Sequence, residues 1–346
     1  MSLRLSAARA MTRLPRRALR RMAGEPLVID GRTLDLQLQV VAQQAAKQAG
    51  RVERTVEVMR AGFGALVELA SPEPFEAVSV HDRTIEVGGR ELAARVLHPR
   101  TATGEAPGIV WFHQGGGVIG DLDTDHALCT QLADRCGAVV VSIDYRLAPE
   151  HRFPAAVDDA VGAYQWVLDN AAGLGVDPAR VAVAGTSQGG TLAAVVCQER
   201  RRRGEPQPVA QVMLYPGPDH RAEGGSLDSC AECFPLDRAT LRFFAENYLP
   251  DPSAAADVRA SPGRADELWG LAPAVVVTAG FDPLRDQGDA YADALRSAGV
   301  QVVHRCEDTL PHSFTTLAGL SKEARAACER VADDVASVLA ADADDD

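Results

Sequence analysis

The chain has 346 residues, 46% of them hydrophobic and 24% charged, with a formal net charge of −13. That length and apolar share suit one large domain with a sizeable core, and so negative a balance argues against a nucleic-acid partner, which would call for a basic face. No apolar run reaches the roughly 18 residues that a bilayer-spanning helix requires, so no integral membrane segment is expected.

Residues 1–24 carry Arg4, Arg9, Arg13, Arg16, Arg17, Arg20 and Arg21 and no acid. Such a start is compositionally like an organelle transit peptide, but it reads more simply as a solvated basic helix or a mobile tail. Apolar residues then recur at helical spacing over Leu34–Ala49 and Val52–Ala70. Two helices ahead of the first strand lie outside a standard sheet core. Residues 1–74 are therefore assigned to a cap, closed off by the breaker Ser71-Pro72-Glu73-Pro74. Strand-like runs Val78–Val87 and Glu91–His98 flank Gly88-Gly89, a two-residue hairpin turn. Gly108–His113 and Ala138–Asp144 are short apolar runs of the buried parallel-strand kind, with a helix over His126–Cys136 between them. Helix Ala155–Ala171, strand Val181–Ala184, helix Thr191–Arg202 and strand Val209–Tyr215 follow. Residues 217–270 form a long irregular connection containing one helix, Arg238–Asn247. Connections of that length inside a compact domain are often functional, and this one is assigned as a second cap segment. Strand Ala274–Thr278, helix Gln287–Ala298, strand Val300–Cys306 and a closing helix Lys322–Ala340 complete the alternation. The end, 342–346, reads as a solvated acidic tail. Alternation over 75–341 predicts an α/β fold, with a mostly parallel central sheet flanked by helices and a helical cap.

The seven cysteines, Cys129, Cys136, Cys197, Cys230, Cys233, Cys306 and Cys328, are odd in number and sit mostly in apolar runs. They read as reduced, buried residues of a cytoplasmic protein. Cys230-Ala-Glu-Cys233 is a lone CxxC with no second pair and no histidine cluster, and no metal is assigned to it.

The chemistry lies in the strand ends. Val181–Ala184 runs into Gly185-Thr186-Ser187-Gln188-Gly189 and then a helix, the strand-turn-helix context of a nucleophile elbow. A serine there sits at a helix N-terminus, where N–H groups and the dipole favour a developing anion. In open α/β sheets the carboxyl ends of the strands carry the site. Those ends present His113-Gln114-Gly115-Gly116-Gly117, Asp144-Tyr145-Arg146, Ser187, Asp282, and a loop ending Pro311-His312. Serine, acid and base thus follow in the order of α/β-hydrolases. A serine hydroxyl is a poor nucleophile without an adjacent base, and the base needs an acid to fix its tautomer. Asp282 is preferred over Asp286, which starts a helix and reads as its cap. His312 is preferred over His304, which lies in an apolar strand and reads as a packed core histidine. His113 is read as orienting the glycine loop. Asp144, Arg146 and Glu150 are read as a buried ion-pair network beside it.

The segments HQGGGVIGD (113–121), DYRLAPEHRFPAAVDDA (144–160), GTSQGG (185–190), TAGFDPLRD (278–286) and LPHSF (310–314) resemble the hormone-sensitive-lipase family of microbial esterases on the α/β-hydrolase fold. The resemblance implies a Ser187 nucleophile, His312 base and Asp282 acid. It also implies oxyanion N–H groups from Gly115, Gly116 and Gln188, a homodimer joined through the last strand and helix, and no cofactor or metal. The sequence departs from the family pattern in three places. Gln114 replaces a glycine, with Gly117 where a bulky aromatic is common and its loss expected to widen the pocket. Gln188 replaces an alanine, and Thr186 stands where many members have aspartate. The expected activity is hydrolysis of short- to medium-chain carboxylic esters. An amide, carbamate or lactone hydrolase with the same triad is the alternative. A non-catalytic ligand-binding protein on the same fold is disfavoured by the retained His312.

Overall fold

A computed structural model describes residues 10–48, 54–100 and 104–341. An eight-stranded sheet runs through it in the order β10-β9-β8-β7-β5-β6-β4-β3. Its strands are β3 (Val78–Val87), β4 (Arg90–Pro99), β5 (Ala106–Phe112), β6 (Val139–Asp144), β7 (Val176–Thr186), β8 (Gln211–Leu214), β9 (Ala274–Phe281) and β10 (Val302–Pro311). A separate two-stranded hairpin, β1 (Val28–Ile29) with β2 (Arg32–Thr33), precedes it and has no counterpart in the sequence reading. From β6 to β10 all neighbours are parallel, while β4 is antiparallel to both β3 and β6. The β3–β4 turn is the expected two-residue one: Val87 pairs with Arg90, and Gly88 and Gly89 both have positive φ, as a turn matching the twist of the strands requires.

Alternation along each strand divides the core in two. Val110 and Phe112 of β5, with Val181 and Val183 of β7, face α5 (Ala155–Asp169), α6 (Gln188–Arg203) and α8 (Arg285–Ser297). Ile109 and Trp111, with Ala182 and Ala184, face α4 (His126–Cys136) and α9 (Lys322–Ala341). Both faces being covered explains why the strands read as continuous apolar runs.

The expected elements mostly recur, but three strands are longer than their apolar runs. β9 continues to Phe281 and β10 to Pro311, because Cys306, Glu307 and Pro311 go on pairing with Thr278, Ala279 and Phe281. β7 begins at Val176, which pairs with Ala106. Polar residues are tolerated in these extensions because ladder bonds, not apolar side chains, define the strand. Among the described residues, helices α1 (Arg16–Ala23), α2 (Leu36–Gln48) and α3 (Val56–Ala70) precede the sheet. Leu19 and Ala23 of α1 pack with Val40 of α2, so residues 16–23 form a docked helix, with Arg16, Arg17, Arg20 and Arg21 on its open side. Residues 1–9 and the acidic 342–346 lie outside the described residues, as do 49–53 between α2 and α3. Helix α7 (Arg238–Tyr248) occupies the long connection between β8 and β9. Among the described residues no helix is long and apolar enough to cross a membrane.

Candidate active site

Ser187 is the hinge between β7 and α6, with φ 51° and ψ −117°. A non-glycine residue is held there only when its surroundings over-determine it, and here they do. The Ser187 N–H donates to Leu214 O at 2.8 Å. On the helix side, a Cβ on Gly189 would stand 1.9 Å from Phe112 O. The elbow therefore brings α6 against β5 so closely that only glycine fits.

Asp282 follows β9 directly and is fully buried, its Oδ1 accepting from Leu284 N at 2.8 Å. His312 follows β10 directly. Its Nδ1 lies 2.7 Å from Asp282 Oδ2, and its Nε2 lies 3.0 Å from Ser187 Oγ. A carboxylate only accepts, so Nδ1 carries the proton and Nε2 is free to accept from the serine hydroxyl. The Tyr215 ring meets the His312 ring edge-on at 4.8 Å. Asp286 stands elsewhere. Its carboxylate accepts from Ser226 N at 2.8 Å and pairs with Arg285, and it makes no capping bond to α8. His304 is likewise not a packed core residue: its Nε2 meets Asp289 at 2.9 Å, beside the hydroxyl of Thr278.

A cavity of about 560 Å³ opens on this group, with Gly115, Gly116, Ser187, Gln188 and His312 in its wall. Its other walls come from both sides of the sequence. Met59, Phe63 and Leu66 of α3 face Leu241 and Phe244 of α7. The pocket is not widened at Gly117, contrary to expectation. The Tyr248 ring fills that space, 2.5 Å from where a Gly117 Cβ would stand, and Phe244 does the same at Gly116. The aromatic missing from the loop is supplied by α7.

His113 holds the glycine loop, with its Nδ1 2.7 Å from Gln114 O, and it stacks on Tyr145 at 4.3 Å. Tyr145 in turn donates its hydroxyl to His113 O at 2.8 Å. The expected Asp144–Arg146–Glu150 network does not form. Arg146 makes a two-pronged pair with buried Asp159, both contacts at 2.8 Å. Glu150 pairs with Arg60 of α3 at 2.8 Å. Asp144 faces His113 Nε2 at 3.9 Å, and burial pushes its carboxyl up. The chain leaves β6 after Asp144 and turns over 148–150, and each charge meets a partner from a separate segment, so closeness in sequence misled.

Two residues were missed. Arg60 donates to Val118 O at 3.0 Å and Ala148 O at 3.1 Å besides its pair with Glu150, fastening α3 to the loops around the glycines. Asp125 accepts from Trp111 and Gln114, and its only local signal, an aspartate ahead of a helix, suggests a cap. Cys230 and Cys233 are buried beside Leu34 and Phe281. Among the described residues no group of three or more His, Cys, Asp or Glu side chains is placed to hold a metal ion.

Comparison with known proteins follows the same lines. The family described as alpha/beta hydrolase fold matches residues 109–316. The carboxylic ester hydrolase LipN of Mycobacterium tuberculosis is 42% identical over 304 residues, covering 85% of this chain and 80% of that protein. The ethyl acetate hydrolase of Pseudomonas putida is 36% identical over 239 residues, covering 68% of this chain and 75% of its own. Among solved structures, a thermostable esterase from Pseudomonas putida superposes with a TM-score of 0.84 at 33% identity, over 88% of this chain and 98% of its own.

Proposed function

The chain belongs to the α/β-hydrolase family, on its hormone-sensitive-lipase-like branch, and is a carboxylic ester hydrolase; from that premise we propose that Ser187, His312 and Asp282 cleave short- to medium-chain acyl esters through an acyl-serine intermediate. The observation that carries the reading is the unbroken chain from Asp282 Oδ2 to His312 to Ser187 Oγ, 2.7 and 3.0 Å, at the wall of an apolar cavity.

His312 Nε2 takes the hydroxyl proton as Ser187 Oγ bonds to the ester carbon. The carbonyl electrons move to oxygen, and the oxyanion is held by the N–H groups of Gly115, Gly116 and Gln188. One such donor typically contributes about 10²–10³ in rate. Asp282 balances the imidazolium and keeps the ring oriented. The C–O bond then breaks, and His312 returns the proton to the departing alcohol. Water, deprotonated by the same Nε2, attacks the acyl carbon and releases the acid, and the proton returns to Ser187.

The cavity volume lies in the ordinary range for small-molecule sites, and the relative named for ethyl acetate supports small esters. α3 and the 217–270 segment act together as the cap that sets that volume. All seven cysteines are unpaired, which suits a reducing compartment, and the proposed location is the cytoplasm. Two copies are proposed to join through the open edge of β10.

Treatment with a fluorophosphonate probe tests the nucleophile. One adduct on the wild type and none on Ser187→Ala is expected, with a loss of roughly 10⁴–10⁶-fold in kcat for the variant. An adduct on Ser187→Ala would overturn the assignment. A nitrophenyl ester series tests the substrate class: kcat/KM should peak at short or medium chains, and a steady rise toward long chains would overturn it.

A further inference from the structure

We propose that Asp125 is a positioning residue for ester cleavage, a buried carboxylate that ties the serine elbow, the glycine loop and the histidine loop to one fixed point. The inference rests on the triad reading above. Asp125 stands immediately before α4, where an aspartate ordinarily caps the helix, yet its side chain makes no capping bond. It is 5% exposed and turned inward instead. Its Oδ2 accepts from Trp111 Nε1 at 3.2 Å and from the Thr186 hydroxyl. Its Oδ1 accepts from Gln114 Nε2 at 3.0 Å. Gln114 passes the connection on. The same Nε2 donates to Thr316 Oγ1 at 2.9 Å, and Oε1 accepts from the Ser313 hydroxyl.

Three members of this network each stand one residue from a group of the site. Thr186 precedes Ser187, Gln114 precedes Gly115, and Ser313 follows His312. Trp111 lies on β5 in the middle of the sheet, fully buried, so the carboxylate is referenced to the central strands. The carboxylate fixes the orientation of the Gln114 amide: flipped, it would set Oε1 against Asp125 Oδ1, two acceptors with no proton between them, whereas the Thr316 and Ser313 hydroxyls can donate or accept and follow whichever way the amide is set. Two of the three departures from the family pattern, Gln114 and Thr186, thus meet on a single residue. They form one device, which holds the serine, the glycine N–H groups and the imidazole in mutual register. Catalysis is sensitive to that register, since a displacement of about 1 Å can cost about 10²-fold in rate.

The test uses the full chain with Asp125→Asn, Gln114→Ala, Thr186→Val and Thr186→Ser. It reads melting temperature, kcat and KM for a nitrophenyl butyrate, and the affinity of an alkyl boronic acid that forms a tetrahedral adduct on Ser187. Asp125→Asn and Gln114→Ala should each lower kcat about 10–100-fold while KM stays within about threefold. Boronic acid affinity should fall in proportion to kcat/KM. Thr186→Ser, which keeps the hydroxyl, should recover what Thr186→Val loses. The double variant Asp125→Asn/Gln114→Ala should be no worse than the poorer single one, because both cut the same connection. If Asp125→Asn fails to fold, Gln114→Ala and the Thr186 pair carry the test. A lower melting temperature with unchanged kcat and boronic acid affinity in the folded protein would make the network merely structural and overturn the proposal. Multiplying losses in the double variant would overturn it too. Residual full activity in Ser187→Ala would instead overturn the triad reading, so the two failures are separable.

Discussion

At the scale of single residues, the site is a set of close approaches that few side chains allow. Gly189 faces Phe112 O across a gap in which a Cβ would stand at 1.9 Å. Gly189→Ala is expected to force α6 off β5, with a loss of about 1–3 kcal/mol or more and greatly slowed fluorophosphonate labelling. Thermal melting and labelling rate measured on one preparation check both. Ser187, Asp282 and His312 were legible in the sequence because each sits at a strand end, where the topology alone brings distant segments together. Asp125 was not. Its partners lie 11, 14 and 61 residues away, while a local explanation, the helix cap, lies next to it. The Asp144, Arg146 and Glu150 cluster failed for the converse reason. Three charges close in sequence suggested mutual pairing, whereas Arg146 reaches back to α5 and Glu150 reaches out to α3.

At the scale of elements, the periodicity of apolar residues located the helices and strands but not their ends, because β10 continues through polar residues held by ladder bonds to β9. Nor does it say how a helix outside the sheet is fastened, and for α3 that work falls to Arg60. Arg60→Ala is expected to loosen α3 over the cavity, raising KM several-fold with a smaller change in kcat, as steady-state kinetics on a nitrophenyl ester will read. Glu150 gives the pH dependence of this fastening. The Arg60 guanidinium pulls the Glu150 carboxyl down to about 2 from its ordinary 4.5. A folded-state value below the unfolded one stabilises above the unfolded value, and that stability fades as pH falls from about 4.5 toward 2. The pair is half exposed, so its share is at most about 1 kcal/mol. The gap in melting temperature between wild type and Arg60→Ala should therefore narrow between pH 5 and pH 3. What remains is the part due to the Val118 and Ala148 carbonyls. A gap that widens on acidification would contradict the assignment.

At the scale of the whole molecule, strand alternation in the sequence conveyed an α/β sheet with both faces covered, and the family motifs conveyed which ends meet. Neither conveyed the edges. β10 ends the sheet, with no further strand paired to its outer side among the described residues; Asp35 N donates to Thr309 O near its C-terminal end, and Val303 nearer its start is 40% exposed. Open edges of that length invite pairing with another copy. Sedimentation velocity at micromolar concentration is expected to give a dimer, and Val303→Lys to shift it toward monomer; a monomer throughout would end the idea. The net charge of −13 on each copy opposes assembly, so the dimer should strengthen with added salt. The rings of Phe244 and Tyr248 lie in the hollows left by Gly116 and Gly117, although some 130 residues separate helix from loop. Loop and helix are thus a lock and its key. A large side chain placed at 116 or 117 would have to evict a ring of α7, and a small one placed at 244 or 248 would leave its hollow empty, so a change on one side calls for a matching change on the other.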